Sequence, residues 1–187
     1  MRKLFAALAI AAAATASFTF VRAEEPAKKA DQMPRCPIDP KAGAALERIK
    51  ALTGTWTAAG EAGAPEMKVV FHPTAGGSAV METMFPGSDH EMVNLFTANG
   101  STIFMTHYCV ENEQPHMKLT SGDEATTKFE FVDGGNIKSR NDPHMDGVAI
   151  TVAGDKLTEE WSFYSDGKVT DRKVFEFHRE AQPQSSK

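Results

Sequence analysis

The stretch MVNLFTANGSTIFMTHYC, Met92 to Cys109, decides the fold. Side chains alternate on both sides of Asn99-Gly100, a dipeptide that suits a two-residue hairpin loop because its backbone matches the twist of the flanking strands. With Asn99-Gly100 as the loop, Ala98 pairs with Ser101, Phe96 with Ile103, Asn94 with Met105, Met92 with His107, and His90 with Cys109. One face of the hairpin then carries His90, Met92, Asn94, Phe96, Ile103, Met105, His107 and Cys109. The unusual residues form one cross-strand cluster, since alternate residues of a strand share a face.

Outward from this hairpin the same grammar continues. Beta-rich segments fall near 55–60, 66–73, 78–85, 90–98, 101–110, 116–121, 126–132, 145–153, 156–164 and 168–178, which makes about ten short strands. Gly154-Asp155 and Asp166-Gly167 are further two-residue turn signals. No helical crossover separates the segments, so they pair antiparallel. A single up-and-down barrel of about ten strands follows, because closure removes exposed strand edges. A two-sheet sandwich is the alternative architecture.

Before the strands, Asp39 caps and Pro40 opens one short helix running to Leu52, with Ala44, Ala45, Ile49 and Leu52 at helical spacing. Further upstream, Arg2 and Lys3 precede an alanine-rich apolar run from Leu4 to Phe20, and Val21-Arg22-Ala23 gives the small-x-small pattern of a cleavage site. Residues 1–23 read as a signal peptide, 24–39 as a flexible linker, 40–179 as the barrel domain and 180–187 as a disordered tail. The expected location is periplasmic or secreted, with no membrane association once the leader is removed.

Losing Arg2, Lys3 and Arg22 with the leader takes away three positive charges and moves the formal net charge from −5 to −8. That balance argues against nucleic acid and anionic lipid as partners, since both require a basic surface. A chain of this size has interior enough for a real core. A monomer is expected. Cys36 and Cys109 stand far apart in sequence, which leaves a disulfide between them open.

The downstream hairpins place a second set of side chains together. Gly154-Asp155 pairs Val152 with Leu157, Ile150 with Glu159 and Val148 with Trp161, and Asp166-Gly167 pairs Phe163 with Thr170 and Trp161 with Arg172. The inward face is then apolar except for Glu159 and Arg172. A buried charge must be paired or must meet a charged ligand. Two readings stay open: Arg172 bridges Glu159 or lies over the Trp161 ring, or Arg172 orients the carboxylate of a ligand.

No G-x-S-x-G, phosphate-cradling loop or dinucleotide fingerprint occurs, and Gly76-Gly77 and Gly134-Gly135 read as turns. His144, after a proline in NDPHMDG, reads as a surface histidine. Catalysis has no motif behind it beyond a base role for His107. The expected function is binding of a small, largely apolar molecule inside the barrel, with His90, Met92, Asn94, His107, Cys109, Trp161 and Arg172 as contacts. His, Cys and Met together also suit a soft metal, so His90, His107 and Cys109 are candidate ligands for zinc or copper, and one histidine for haem. A solid, filled barrel with no ligand is the remaining reading.

Gly54-Thr55-Trp56 at the first strand and the arginine of FEFHR, Arg179, resemble the calycin pattern of lipocalins, in which a G-x-W tryptophan packs beneath a C-terminal arginine. The middle of the chain, GSAVMETMFPGSDHEMVNLF through MTHYCVENEQPHM, is similar to a group of secreted bacterial lipocalin-like proteins. The resemblance spans most of Leu52 to Arg179 and implies a barrel with a ligand left open. The second, T-D-Y-like lipocalin motif is lacking, as are the motifs of haem-binding nitrobindin-type barrels.

Overall fold

The computed structural model describes residues 35–60, 66–123 and 125–181. The signal-peptide reading, most of the linker and the last residues of the tail lie outside the described residues. All the regular structure described below lies in the compact unit that begins at Pro37.

The helix α1 spans Pro40–Lys50. Asp39 caps it through Oδ1, which accepts from the Lys41 N–H at 2.8 Å, and Pro40 occupies the first turn, where a missing N–H costs nothing. Its inner face is Ala42, Ala45, Leu46 and Ile49, all buried. Ala44, expected on that face, is exposed instead. Ten strands follow: β1 (Gly54–Ala58), β2 (Met67–Thr74), β3 (Ala79–Met84), β4 (Met92–Asn99), β5 (Thr102–Tyr108), β6 (Gln114–Gly122), β7 (Thr126–Gly135), β8 (His144–Ala153), β9 (Lys156–Ser165) and β10 (Lys168–Arg179). Each pairs antiparallel with its sequence neighbour, and β10 pairs with β1 to close the barrel. The sandwich alternative is thereby set aside, and the fold is consistent with a lipocalin-like barrel.

Up-and-down connectivity gives the barrel two distinct ends. The β2–β3, β4–β5, β6–β7 and β8–β9 connections lie at the end where β1 begins and β10 finishes. α1 packs against strands β2 to β5 and leads directly into that end. There Trp56 Nε1–H donates to the Leu52 carbonyl at 2.9 Å, while the Arg179 guanidinium lies 4.0 Å above the Trp56 ring. Arg179 also donates to the carbonyls of Thr53 and Ala51, which have left the helix and need donors. The two residues singled out by the lipocalin resemblance are thus in direct contact.

The β4–β5 loop is Gly100-Ser101, one residue later than expected, with Gly100 at φ 58° and Asn99 opposite Thr102. Moving both loop positions by one changes every partner but preserves which face each residue occupies. Asn94 consequently faces His107, and Phe96 faces Met105. In the β8–β9 hairpin the expected register holds residue for residue, with Val152 opposite Leu157, Ile150 opposite Glu159 and Val148 opposite Trp161.

β9–β10 departs from expectation. Asp166-Gly167 makes the turn, both residues having positive φ, but a bulge between Val169 and Asp171 inserts one extra residue. Every side chain beyond it changes face. Arg172 pairs with Ser162 and lies outside, where it donates to Glu160 at 2.7 Å, and Val174 is exposed. Phe175 and Phe177 take the inner face instead, opposite Glu159 and Leu157. The expected inward placement of Arg172 is therefore corrected: a bridge to Glu159 does not form.

Candidate functional site

The barrel interior is layered by its register. From the helix end upward, β3, β4 and β5 contribute Val80, Phe96 and Met105, then Glu82, Asn94 and His107, then Met84 with Met92. The middle layer is polar within an apolar core. Glu82, Asn94 and His107 are directly opposed across three neighbouring strands, and β9 supplies Glu159 and Trp161 to the same region. All five are fully or almost fully buried.

These side chains form a ring of contacts. The Asn94 Nδ2–H donates to Glu82 Oε2 at 2.8 Å, and Asn94 Oδ1 lies 2.7 Å from His107 Nδ1. Since the Asn94 amide nitrogen is committed to Glu82, its oxygen faces the imidazole, which makes Nδ1 the protonated nitrogen. The His107 ring packs on Trp161 at 4.8 Å between centroids, and Trp161 Nε1–H donates to Glu159 Oε2 at 3.0 Å. Glu159 and Glu82 interact with each other and complete the ring.

The electrostatics follow from burial without a counter-ion. Among the described residues no lysine or arginine pairs with either glutamate. Removal from water holds the Glu82 carboxyl well above the usual range, and the neighbouring Glu159 charge adds to the rise. Burial raises Glu159 as well, against opposing hydrogen bonds. Two buried carboxylates side by side cannot both ionise cheaply, so the pair retains a proton. Desolvation lowers His107 to about 4, which keeps the imidazole neutral.

Apart from the contact between the two carboxyls themselves, three atoms in this ring have no hydrogen-bond partner: Glu82 Oε1, Glu159 Oε1 and His107 Nε2. Each such buried group costs about 1–3 kcal/mol. Folded proteins satisfy nearly all their buried polar atoms. This concentration in one layer sets it apart from the rest of the core.

Above the layer, at the end opposite α1, several apolar side chains are only half buried. Met67, Phe85, Met92 and Phe175 pack against the core there while keeping surface exposed. Phe85 meets Phe175 edge-on at 5.5 Å, and Cys109 Sγ lies 3.9 Å from Met92 Sδ. Burial pushes the Cys109 thiol up, so it stays protonated. Cys36 and Cys109 are both free thiols.

The residues expected to share a site divide accordingly. Asn94, His107 and Trp161 come together in the polar ring, and Met92 and Cys109 sit just above it. His90 does not join them: it lies in the loop before β4, exposed, because Phe85 at φ 52° and the turn that follows end the strand pairing early. Arg172 is outside, for the reason given above. The expected trio His90, His107 and Cys109 therefore does not converge, and among the described residues no group of three or more His, Cys, Asp or Glu side chains is arranged to hold a metal ion.

Glu82 was missed from the sequence although Val80, Glu82 and Met84 alternate plainly in SAVMETMF. The β3–β4 connection, residues 85–91, is too long to fix register by turn type, so nothing tied Glu82 to Asn94. Glu159 is inward as the sequence predicts, but its partners are Trp161 and Glu82 in place of Arg172. His144, expected at the surface, is buried. Its Nδ1–H donates to the Asp142 carbonyl and its Nε2 accepts from Arg140, each at 2.6 Å.

Concavities elsewhere are of a different kind. One of about 530 Å³ on the outer face of β7–β9 is lined by charged groups including Lys128, Glu130 and Glu160, and one of about 500 Å³ near the β5–β6 loop is lined by Glu111, Glu113 and Lys138. Neither touches the polar ring. Compared with known protein families the chain matches none, and no curated protein matches it.

Proposed function

We propose that this barrel is a periplasmic or secreted binding protein that holds a small, largely apolar molecule at the end opposite α1. The difference between the two ends carries this reading. One end is covered by α1, with Leu46, Ile49 and Leu52 buried, and the other presents half-buried Met67, Phe85, Met92 and Phe175. A lipocalin-like barrel of this size has room for side chains and one modest ligand. Apolar walls with a few convergent polar groups beneath are the usual composition of such sites.

The test is titration of the full chain with a neutral apolar fluorophore such as N-phenylnaphthylamine, combined with alkylation of Cys109. Saturable binding is expected, weakened about tenfold by Phe85→Glu, and bound fluorophore should slow Cys109 alkylation because the thiol borders the same surface. No binding, or binding indifferent to Phe85→Glu with Cys109 unprotected, would leave the barrel as a filled scaffold.

A further inference from the structure

The three unpartnered atoms share a chemical character. Glu82 Oε1 and Glu159 Oε1 are carboxyl oxygens, and His107 Nε2 presents a lone pair because the ring proton sits on Nδ1, facing Asn94 Oδ1. All three belong to side chains no more than 1% exposed. A proton shared between the carboxyls gives them a donor but leaves the imidazole without one.

A primary ammonium offers three N–H donors on one nitrogen and no acceptor. It also brings the positive charge that the ring lacks, since the described lysines and arginines that form ion pairs do so elsewhere. The ring geometry keeps the three acceptors in one connected unit: Asn94 ties Glu82 to His107, Trp161 ties His107 to Glu159, and the two carboxyls adjoin. We propose that Glu82 Oε1, Glu159 Oε1 and His107 Nε2 form a receptor for the protonated head of an apolar primary amine, whose tail lies along Met92, Phe85 and Phe175. This rests on the end opposite α1 being a binding mouth. Met84 and Met92, opposite each other across β3 and β4, separate the receptor from that mouth. Thioether side chains adapt readily, so they can swing aside to admit the head group.

The test is calorimetric titration of the full chain with octylamine, octanol, octanoate and octyltrimethylammonium, which share a tail and differ in charge and donors. Octylamine should bind at least about tenfold more tightly than each of the other three. Glu82→Gln with Glu159→Gln should bring octylamine down to the level of octanol while octanol affinity stays put, which also reports that the variant is folded. Octanol binding with octylamine no tighter would overturn the ammonium receptor and leave the apolar mouth standing. Equal affinity for octylamine and octyltrimethylammonium would overturn it too, because the quaternary head has charge without donors. If none of the four binds, both readings fall together.

Discussion

The barrel buries two histidines, and their surroundings differ in one respect that matters. His144 is satisfied at both nitrogens: Nδ1–H reaches the Asp142 carbonyl, Nε2 accepts from Arg140, and Arg140 is held in turn by Asp146 and by the Tyr164 ring, 3.6 Å from its guanidinium carbon. His107 is satisfied at Nδ1 alone, with Nε2 buried and unpartnered. The first is how a polar group is built into a structure for stability. The second leaves a cost of about 1–3 kcal/mol in place, which evolution tolerates chiefly where the group has a task. Burial of a histidine therefore says little about function, whereas incomplete satisfaction says a good deal.

Breaking the bridge at the centre of the polar ring should have the largest effect. Asn94→Leu keeps the volume but strips a partner from both Glu82 Oε2 and His107 Nδ1, so a loss of about 2–5 kcal/mol is expected, read as a lower urea midpoint at constant slope. Arg140→Ala comes next. It leaves the buried His144 Nε2 without its donor and removes the stacking on Tyr164, for about 1–3 kcal/mol in the same measurement.

The pH dependence sharpens the contrast, because the two kinds of group in the ring pull in opposite directions. His107 has a folded pKa of about 4, below its ordinary 6.5, so its contribution is complete above pH 6.5 and is lost as pH falls toward 4. The carboxyl pair is raised above 4.5, so its contribution is complete below pH 4.5 and is lost as pH rises through the folded value. Between pH 4.5 and 6.5 the slopes oppose each other, and above 6.5 only the carboxyl loss remains. His107→Gln, which removes the opposing slope, should therefore lose stability more steeply than the wild type as pH rises from 4.5 toward 6.5. In that variant, a urea midpoint that does not fall anywhere above pH 4.5 would contradict the raised carboxyl pair.

Glu159→Gln should show the smallest effect at neutral pH, within about 1 kcal/mol in either direction, because the amide can donate to Glu82 and ends the repulsion between the carboxyls. Its signature is a smaller loss of stability with rising pH above 4.5 than the wild type's.

Most of the fold was readable because it rests on local chemistry. Asp39-Pro40 sets the helix start, and Gly154-Asp155 fixes a register that the structure reproduces residue for residue. Asn99-Gly100 misplaced its turn by one residue at no cost to the faces, since parity survives such a shift. The bulge at Val169–Asp171 did not survive the same treatment. An inserted residue reverses parity, and KVTDR carries no glycine or proline to mark it. The signal that was present lay downstream, where Phe175 and Phe177 alternate and demand the inner face more strongly than Arg172 and Val174 do. The candidate site was legible in part: Asn94, His107 and Trp161 were placed together, whereas Glu82 needed a pairing that a long loop conceals.

Trp56 and Arg179 stand opposite each other where β1 meets β10, flanked by Thr57 opposite His178 and by the Glu180 N–H, which donates to the Thr55 carbonyl at 2.9 Å. The wall's last seam is thus stitched between residues near the two extremes of the domain, after every neighbouring hairpin has had local contacts to guide it. Contacts of such long sequence separation come at a high entropic cost and late in folding. A chain truncated before Phe177 would lose all of these stitches, and the same sheet would be left with two bare edges to seek partners in other molecules.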